Sequence, residues 1–201
     1  MASSGLVRWC GLAAMLGGVL WAISAVIHAS KPRGCIAEEC AFRPMRETSA
    51  LDGFPLLLSL VLFAGGVAGL MILARSAGRW GKAGNTGVIL CAIGAALVVI
   101  ASLVQTIFFG GDFPLMPFFV IPSALALVFG LLLLGLAILR ARVLPRWAAV
   151  LFIVGTLAML GVNEQTARVL LAIPLGVAWV VVGYVLWSGR GTAAQQPSRV
   201  R

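Results

Sequence analysis

The sequence contains little charge. Only 10% of its 201 residues are Asp, Glu, Lys or Arg, whereas soluble domains carry roughly 25%. Hydrophobic residues make up 61% of the chain, and its mean hydropathy is +1.08. This shortage of charge beside so many apolar residues excludes a soluble domain and predicts an integral membrane protein.

The sequence also lacks regular alternation of apolar and polar residues. Its apolar residues instead form continuous runs. A chain in lipid must pair its backbone polar groups internally, which helices and closed barrels achieve, and the strands of barrels alternate. The predicted fold class is therefore all-α, a bundle of transmembrane helices.

Acidic residues are scarce, and the net charge is +9. In a soluble protein this balance would indicate a nucleic-acid partner. Here the basic residues lie in short segments between apolar runs, so positive-inside topology accounts for them. We therefore expect the lipid bilayer as a partner, and no nucleic acid.

No familiar catalytic motif is present. The chain lacks G-x-S-x-G, a phosphate loop and H-E-x-x-H, and His28 is its single histidine. The cores of the predicted spans contain no Asp, Glu, Lys or Arg, although intramembrane charges commonly mark ion pathways. These absences predict a non-enzymatic protein with no cofactor and no metal, and they disfavour a transporter that couples through a midplane carboxylate.

Six uncharged stretches are candidates for crossing a bilayer core of about 30 Å. They cover about 9–28, 54–74, 84–109, 117–139, 147–162 and 169–187. The fifth is short and would need local thinning of the bilayer or little tilt. Residues 1–188 are therefore predicted to form one polytopic domain, and residues 189–201 a disordered cytoplasmic tail.

Basic residues mark one side of the predicted bundle. Ten of the 15 Lys and Arg residues precede the first span or follow the second, fourth and sixth, whereas all six acidic residues fall in the alternate loops. Because Lys and Arg are retained in the cytoplasm, both termini are predicted to be cytoplasmic and the loop 29–53 to face outward. The alternative is a cleaved signal peptide at the first span, which would leave five spans and an external N-terminus.

The localisation that we expect is the inner membrane of a bacterium. The sequence prefers Arg to Lys and is rich in Ala, Gly, Leu and Val, which is typical of a GC-rich bacterial genome.

The ends of the even spans resemble one another. "GLMILARSAGRW", "GLAILRARVLPRW" and "GYVLWSGRG" each carry glycine, apolar residues and then arginine. This pattern indicates three consecutive helical hairpins, as in transporters built from repeats. The alternative is that topology alone places Arg and Trp at every such end.

The loop 29–53 concentrates charge and two of the four cysteines. Cys35 and Cys40 are predicted to form a structural disulfide, because this loop would face the oxidising side of the membrane. Charged side chains around them are predicted to form a solvated lid of exposed ion pairs. These are Glu38, Glu39 and Glu47 with Lys31, Arg33, Arg43 and Arg46.

Two other chemistries remain open for this loop. A quinone-linked thiol oxidoreductase would use Cys35 and Cys40 as its outer redox pair. A zinc site would add His28 and a glutamate to the two cysteines, although no second C-x-x-C or His pair accompanies them.

Polar side chains near the outer span ends are candidates for a small cluster. His28, Gln105 and Thr106 are predicted to lie together beneath the outer loop, and Asn163 is a further candidate at a span end. Ordinary hydrogen bonds between helices are the alternative to a ligand site.

Small residues four apart predict close helix packing, because they share one face of a helix. The candidates are Ala13, Gly17, Gly18, Gly65 and Gly69. Their partner could be internal, a membrane protein or a second copy of the chain.

Taken together, the patterns indicate a structural, assembly or accessory subunit, or a binder of a lipid-like molecule. The alternative is a small transporter or channel built from helical hairpins. In that case His28, Gln105 and Asn163 would lie near its path.

Overall fold

The computed structural model describes residues 4–42, 44, 46, 50–108 and 115–189. Throughout these ranges the regular structure is helical, which confirms the predicted all-α class. The predicted tail from residue 190, the residues Arg43 and Glu47 and the side chain of Thr106 lie outside the described part. The helices are α1 Ser4–Ser30, α2 Ala50–Ser76, α3 Lys82–Phe108, α4 Met116–Ala141, α5 Arg146–Ala158 and α6 Ile173–Ser188.

Several helices extend past the predicted spans. The first was expected over 9–28 and covers Ser4–Ser30, and the second, expected over 54–74, covers Ala50–Ser76. Hydropathy detects only the apolar part of a span, whereas backbone hydrogen bonds continue the helix into the polar interface. The sixth begins later than expected as an α-helix, because a 3-10 segment, Ala167–Ala172, precedes Ile173.

Five segments are long and apolar enough to cross a membrane, so the chain has the architecture of a multi-pass membrane protein. They are Gly5–Ser30, Phe54–Ser76, Lys82–Gln105, Met116–Ala141 and Ala167–Ser188. α5 has only 13 residues, or about 20 Å at 1.5 Å per residue. A short 3-10 turn, Met159–Gly161, extends it. A sixth crossing over 147–162 therefore stays a prediction.

Consecutive helices pack as hairpins. α1 packs along α2, α3 along α4, and α5 along α6. α1 also packs along α6, and α4 packs on α5, which joins the three hairpins into one bundle. α3 touches little besides α4, and its outward side chains include Ile89, Ile93, Ile100 and Leu103.

Glycines bring α1 and α6 unusually close together. A Cβ atom on Gly11 would lie 2.7 Å from the carbonyl oxygen of Gly183, and one on Gly176 would lie 2.7 Å from that of Gly18. The glycines of each helix are seven residues apart and pair antiparallel. Any side chain at these positions would push the two backbones apart, so glycine defines this interface.

The same spacing recurs between α3 and α4. A Cβ atom on Gly87 would lie 2.8 Å from the carbonyl oxygen of Gly130, and one on Gly94 would lie 2.8 Å from that of Ser123. The two tightest helix pairs therefore share one packing rule, although α1 and α6 are far apart in sequence.

Aromatic rings fill the centre of the bundle. The Trp179 side chain of α6 is 1% exposed and stacks on Phe63 of α2, with 4.7 Å between ring centroids. Phe152 of α5 meets Trp179 edge-on at 5.1 Å. These contacts join three helices through one side chain, and such ring pairs contribute about 0.5–1.5 kcal/mol beyond their burial.

Arginines close the helix ends at the face that carries Arg8, Arg79 and Arg146. The Arg8 Nε donates to the carbonyl oxygen of Trp187 over 3.2 Å, and an Arg79 Nη donates to that of Ala141 over 3.3 Å. Carbonyl oxygens at the C-terminal end of a helix have no partner within the helix. The opposite end of the bundle carries the cysteine loop and is called the cap face below.

Candidate functional site

The connection between α5 and α6 is not α-helical, although the part of α1 that packs against it is. The 3-10 segment Ala167–Ala172 packs against α1, and the Trp21 Nε1 donates to the carbonyl oxygen of Ala172 over 3.2 Å. Trp21 lies nine residues before α1 ends at Ser30. Irregular backbone at such a depth is tolerated in membranes only where protein groups satisfy its hydrogen bonds.

Part of that requirement is met within the connection. The Asn163 Oδ1 accepts from the backbone N–H of Gln165 over 2.9 Å, and the Thr166 Oγ1 accepts from that of Arg168 over 3.2 Å. Asn and Thr side chains often stabilise turns in this way. Asn163, a predicted ligand candidate, therefore shapes its own loop.

The remaining partners come from the cysteine loop. The Gly34 N–H donates to the carbonyl oxygen of Gln165 over 3.0 Å, and the Arg46 N–H donates to the Gln165 Oε1 over 2.7 Å. A Cβ atom on Gly34 would collide with that Oε1 and lie 2.7 Å from the backbone nitrogen of Arg46, so glycine is needed for this approach. We call the described residues of these two docked segments, 31–46 and 162–168, the cap.

Arg46 holds the cap together. Its Nε donates to the carbonyl oxygen of Pro32 over 2.9 Å, and its two Nη atoms donate to those of Glu164 over 2.6 Å and Lys31 over 3.2 Å. Arg46 therefore contacts backbone carbonyls of both segments. Its expected ion pair with Glu47 falls on a residue outside the described part and stays a prediction. A guanidinium suits this task because its five N–H groups point in fixed directions.

A disulfide fixes the tip of the cap. Cys35 and Cys40 are bonded, with 1.99 Å between their sulfur atoms, and a 3-10 turn, Ala37–Ala41, lies between and beyond them. Cys35 is buried at 2% exposure, whereas Cys40 is exposed. The bond therefore ties an exposed turn to the buried base of the loop.

An open depression of about 360 Å³ lies where the two cap segments meet. It is lined by Arg33 and Ile36 from one segment and by Thr166, Ala167 and Arg168 from the other. Both arginines are exposed, and Thr166 is buried. We call this feature the Arg33–Arg168 depression.

Two members of the predicted polar cluster lie on different hairpins. His28 lies buried at the cap-face end of α1, whereas Gln105 is on α3, which packs along α4. Hydropathy gives the depth of a residue in the membrane but not the lateral order of the helices. This explains why residues at one predicted level end on separate hairpins.

The small residues chosen from four-residue spacing lie mainly between α1 and α2. A Cβ atom on Gly65 would lie 3.3 Å from that of Ala13, and one on Gly69 would lie 2.6 Å from that of Cys10. One on Gly17 would lie 3.0 Å from Phe63 of α2. Gly18 instead faces α6. Its partner therefore belongs to the same chain but is not α2, the next helix in sequence.

The two remaining cysteines are free and do not form a second redox pair. Cys10 of α1 lies against Gly69 of α2, and Cys91 of α3 lies against Gly130 of α4. These belong to different helix interfaces. Among the described residues, no group of three or more His, Cys, Asp or Glu side chains is placed to hold a metal ion.

Sequence reasoning did not single out Gln165 or Arg168. Gln165 has no local signal, because its importance arises from a docking partner more than a hundred residues away. Arg168 could have been noticed, since it is a basic residue beside a loop that otherwise carries acids. Comparisons of the chain with known protein families, with curated proteins and with solved structures give no match.

Proposed function

We propose that this chain is a non-enzymatic multi-pass protein of a bacterial inner membrane that binds a lipid-like molecule at its cap. Both termini would be cytoplasmic, and the cap would face outward. The observation that carries the proposal is the construction of the cap. Two segments distant in sequence are fixed to each other by Arg46, Gln165 and Gly34, with a disulfide at the tip.

A fixed surface of this kind favours binding. Recognition costs less free energy when the groups that contact a ligand are already held in place. The cap also mixes polar and apolar surface, as an amphiphile requires. Ile36 is exposed on one segment, and Leu170 and Leu171, just beyond the other, are each 40% exposed.

The non-enzymatic part of the proposal rests on sequence chemistry. The span cores have no Asp, Glu, Lys or Arg, and no familiar catalytic motif occurs in the chain. A thiol relay would need a second cysteine pair near the disulfide, and Cys10 and Cys91 lie in separate interfaces. Binding is the activity that these residues support best.

Native mass spectrometry of the protein in mild detergent would test the proposal. We expect wild type to carry a bound amphiphile, and Arg46→Gln to lose most of it because the cap comes apart. Arg140→Gln, which removes an exposed charge from the opposite face, is the control and should retain the ligand. Absence of a bound molecule in wild type, or substrate turnover by the purified protein, would contradict the proposal.

A second candidate function is that of an accessory subunit. It is favoured by α3, which packs mainly on α4 and leaves a long apolar side exposed. A photo-crosslinker attached at Ile93→Cys should then capture a second polypeptide in membranes. Val150→Cys on α5 is the matched control, because both native side chains are 48% exposed. Equal labelling by lipid at both positions would count against this function.

A further inference from the structure

We propose that Arg33 and Arg168 form a site for a phosphate-bearing anionic group, such as the headgroup of an anionic phospholipid. This rests on the proposed function, and it names the chemistry of the ligand that the cap binds. The site is the Arg33–Arg168 depression.

The composition of the depression points to an anion. Two of its five lining residues are arginines, and none of its described lining residues is acidic. Arginine binds phosphate through paired N–H groups, and these charge-assisted hydrogen bonds are about twice as strong as neutral ones. Thr166, which lies on the same segment as Arg168, adds a further polar residue to the wall.

The two arginines differ from Arg46 in what they contact. The Nε and both Nη atoms of Arg46 donate to carbonyl oxygens of the cap. No described residue accepts a hydrogen bond from the guanidinium of Arg33 or Arg168, and neither forms an ion pair with a described acid. Two like charges that line one depression favour the binding of an anion there.

The backbone around both arginines is fixed. Gly34, next to Arg33, donates to Gln165, and the N–H of Arg168 donates to the Thr166 Oγ1. The two side chains therefore start from positions that are set relative to each other. This lowers the cost of ordering them around a ligand.

Size and surroundings favour a headgroup. A volume of about 360 Å³ lies within the usual range of small-molecule sites, roughly 300–1,000 Å³. Ile36 lies in the wall, and the exposed Leu170 and Leu171 follow Arg168 along the 3-10 segment. An amphiphile could therefore place its phosphate between the arginines and its chains on these exposed apolar residues.

Lipid binding to delipidated protein would test the site. Phosphatidylglycerol and phosphatidylcholine are added in equal amounts, and bound lipid is counted by native mass spectrometry. We expect wild type to prefer phosphatidylglycerol by about tenfold, or about 1.4 kcal/mol. Arg33→Gln with Arg168→Gln should remove this preference. Arg140→Gln with Arg146→Gln removes the same charge at the opposite face and should leave it intact.

Inorganic phosphate separates the two sources of the anion. Displacement of phosphatidylglycerol by excess phosphate would show that the arginines take the phosphate group alone. Retention of the lipid, with loss only in the Arg33 and Arg168 variant, would show that the headgroup and chains are recognised together. An unchanged preference in that variant, or an equal loss in the control, would overturn the proposal.

The result can be separated from the proposed function. If Arg46→Gln releases a bound amphiphile but the Arg33 and Arg168 variant keeps its lipid preference, the cap binds by other contacts and only the anion site fails. If Arg46→Gln changes nothing that is bound, the cap itself is not the binding surface.

Discussion

At the scale of single residues, the cap shows that arginines of one loop have different tasks. Arg46 donates three side-chain hydrogen bonds to carbonyl oxygens in two segments, whereas Arg33 is exposed and lines an open depression. Arg46 and Arg33 have the same charge and lie in the same loop, which contains both acidic and basic residues. Sequence could therefore locate the loop but could not divide its arginines into structural and exposed ones.

This division predicts unequal effects on stability. Arg46→Gln should lower the free energy of unfolding by about 1–3 kcal/mol, because hydrogen bonds from a charged group are lost and several carbonyls lose partners. Arg33→Gln should change it by less than about 0.5 kcal/mol, as is usual for exposed side chains without such contacts. Thermal unfolding in detergent, followed by circular dichroism, would measure both. Equal losses would show that Arg46 does not hold the cap.

The disulfide predicts how many cysteines can be alkylated before and after reduction. Unfolded protein alkylated before reduction should carry two labels, on Cys10 and Cys91, and reduction should release two more on Cys35 and Cys40. The closed ring is short, so the entropic model gives it a contribution of about 2 kcal/mol to stability. Intact mass measures the labels. Four labels before reduction would place the cap in a reducing compartment and contradict the proposed orientation.

At the scale of elements, the hairpins are held together by glycine. Gly18 faces Gly176 across α1 and α6, and the backbones approach so closely that no Cβ atom fits. Gly5, near the start of α1, has nothing within 4 Å of its Cβ position. Within α1, glycine is therefore required for packing at Gly18 and has no packing role at Gly5.

Alanine substitutions should separate these two glycines. Gly18→Ala should destabilise the protein by about 1–3 kcal/mol, as overpacking does, since the atoms in the way belong to backbone. Gly5→Ala should be neutral or stabilise by up to about 1 kcal/mol, because alanine is the better helix former. Urea or thermal unfolding of the two variants against wild type gives the comparison. A tolerated Gly18→Ala would mean that α1 and α6 are not in direct backbone contact.

Much of the element pattern follows from the sequence, and the reasons are local. Continuous apolar runs locate the helices within a few residues, and Pro145 marks the start of α5. The pairing of α1 with α6 is not local, although glycines seven apart in both helices do signal it. The docking of Gly34 and Arg46 on Gln165 has no such signal. It depends on where two loops meet after the bundle has formed.

At the scale of the whole molecule, the short α5 explains why the cap exists. With 13 residues it spans about 20 Å, so the chain continues to α6 through irregular backbone beside α1. In a membrane that backbone needs partners, and the cysteine loop supplies them through Arg46 and Gly34. A polar, charged loop between apolar spans is therefore part of how the bundle is closed.

Because α5 is short, the number of membrane crossings is the main prediction to test for the whole molecule. If α5 and the irregular connection together cross the membrane, both termini lie on one side, and the arginines at their end of the bundle indicate the cytoplasm. Fluorescent-protein fusions at each terminus should then be bright, and a secreted phosphatase inserted after Phe42 should be active. Insertion after Gly78, a turn with open space on the opposite face, is the control and should be inactive. A dark C-terminal fusion beside a bright N-terminal one would mean five crossings, with α5 only re-entering the membrane from the face where it begins.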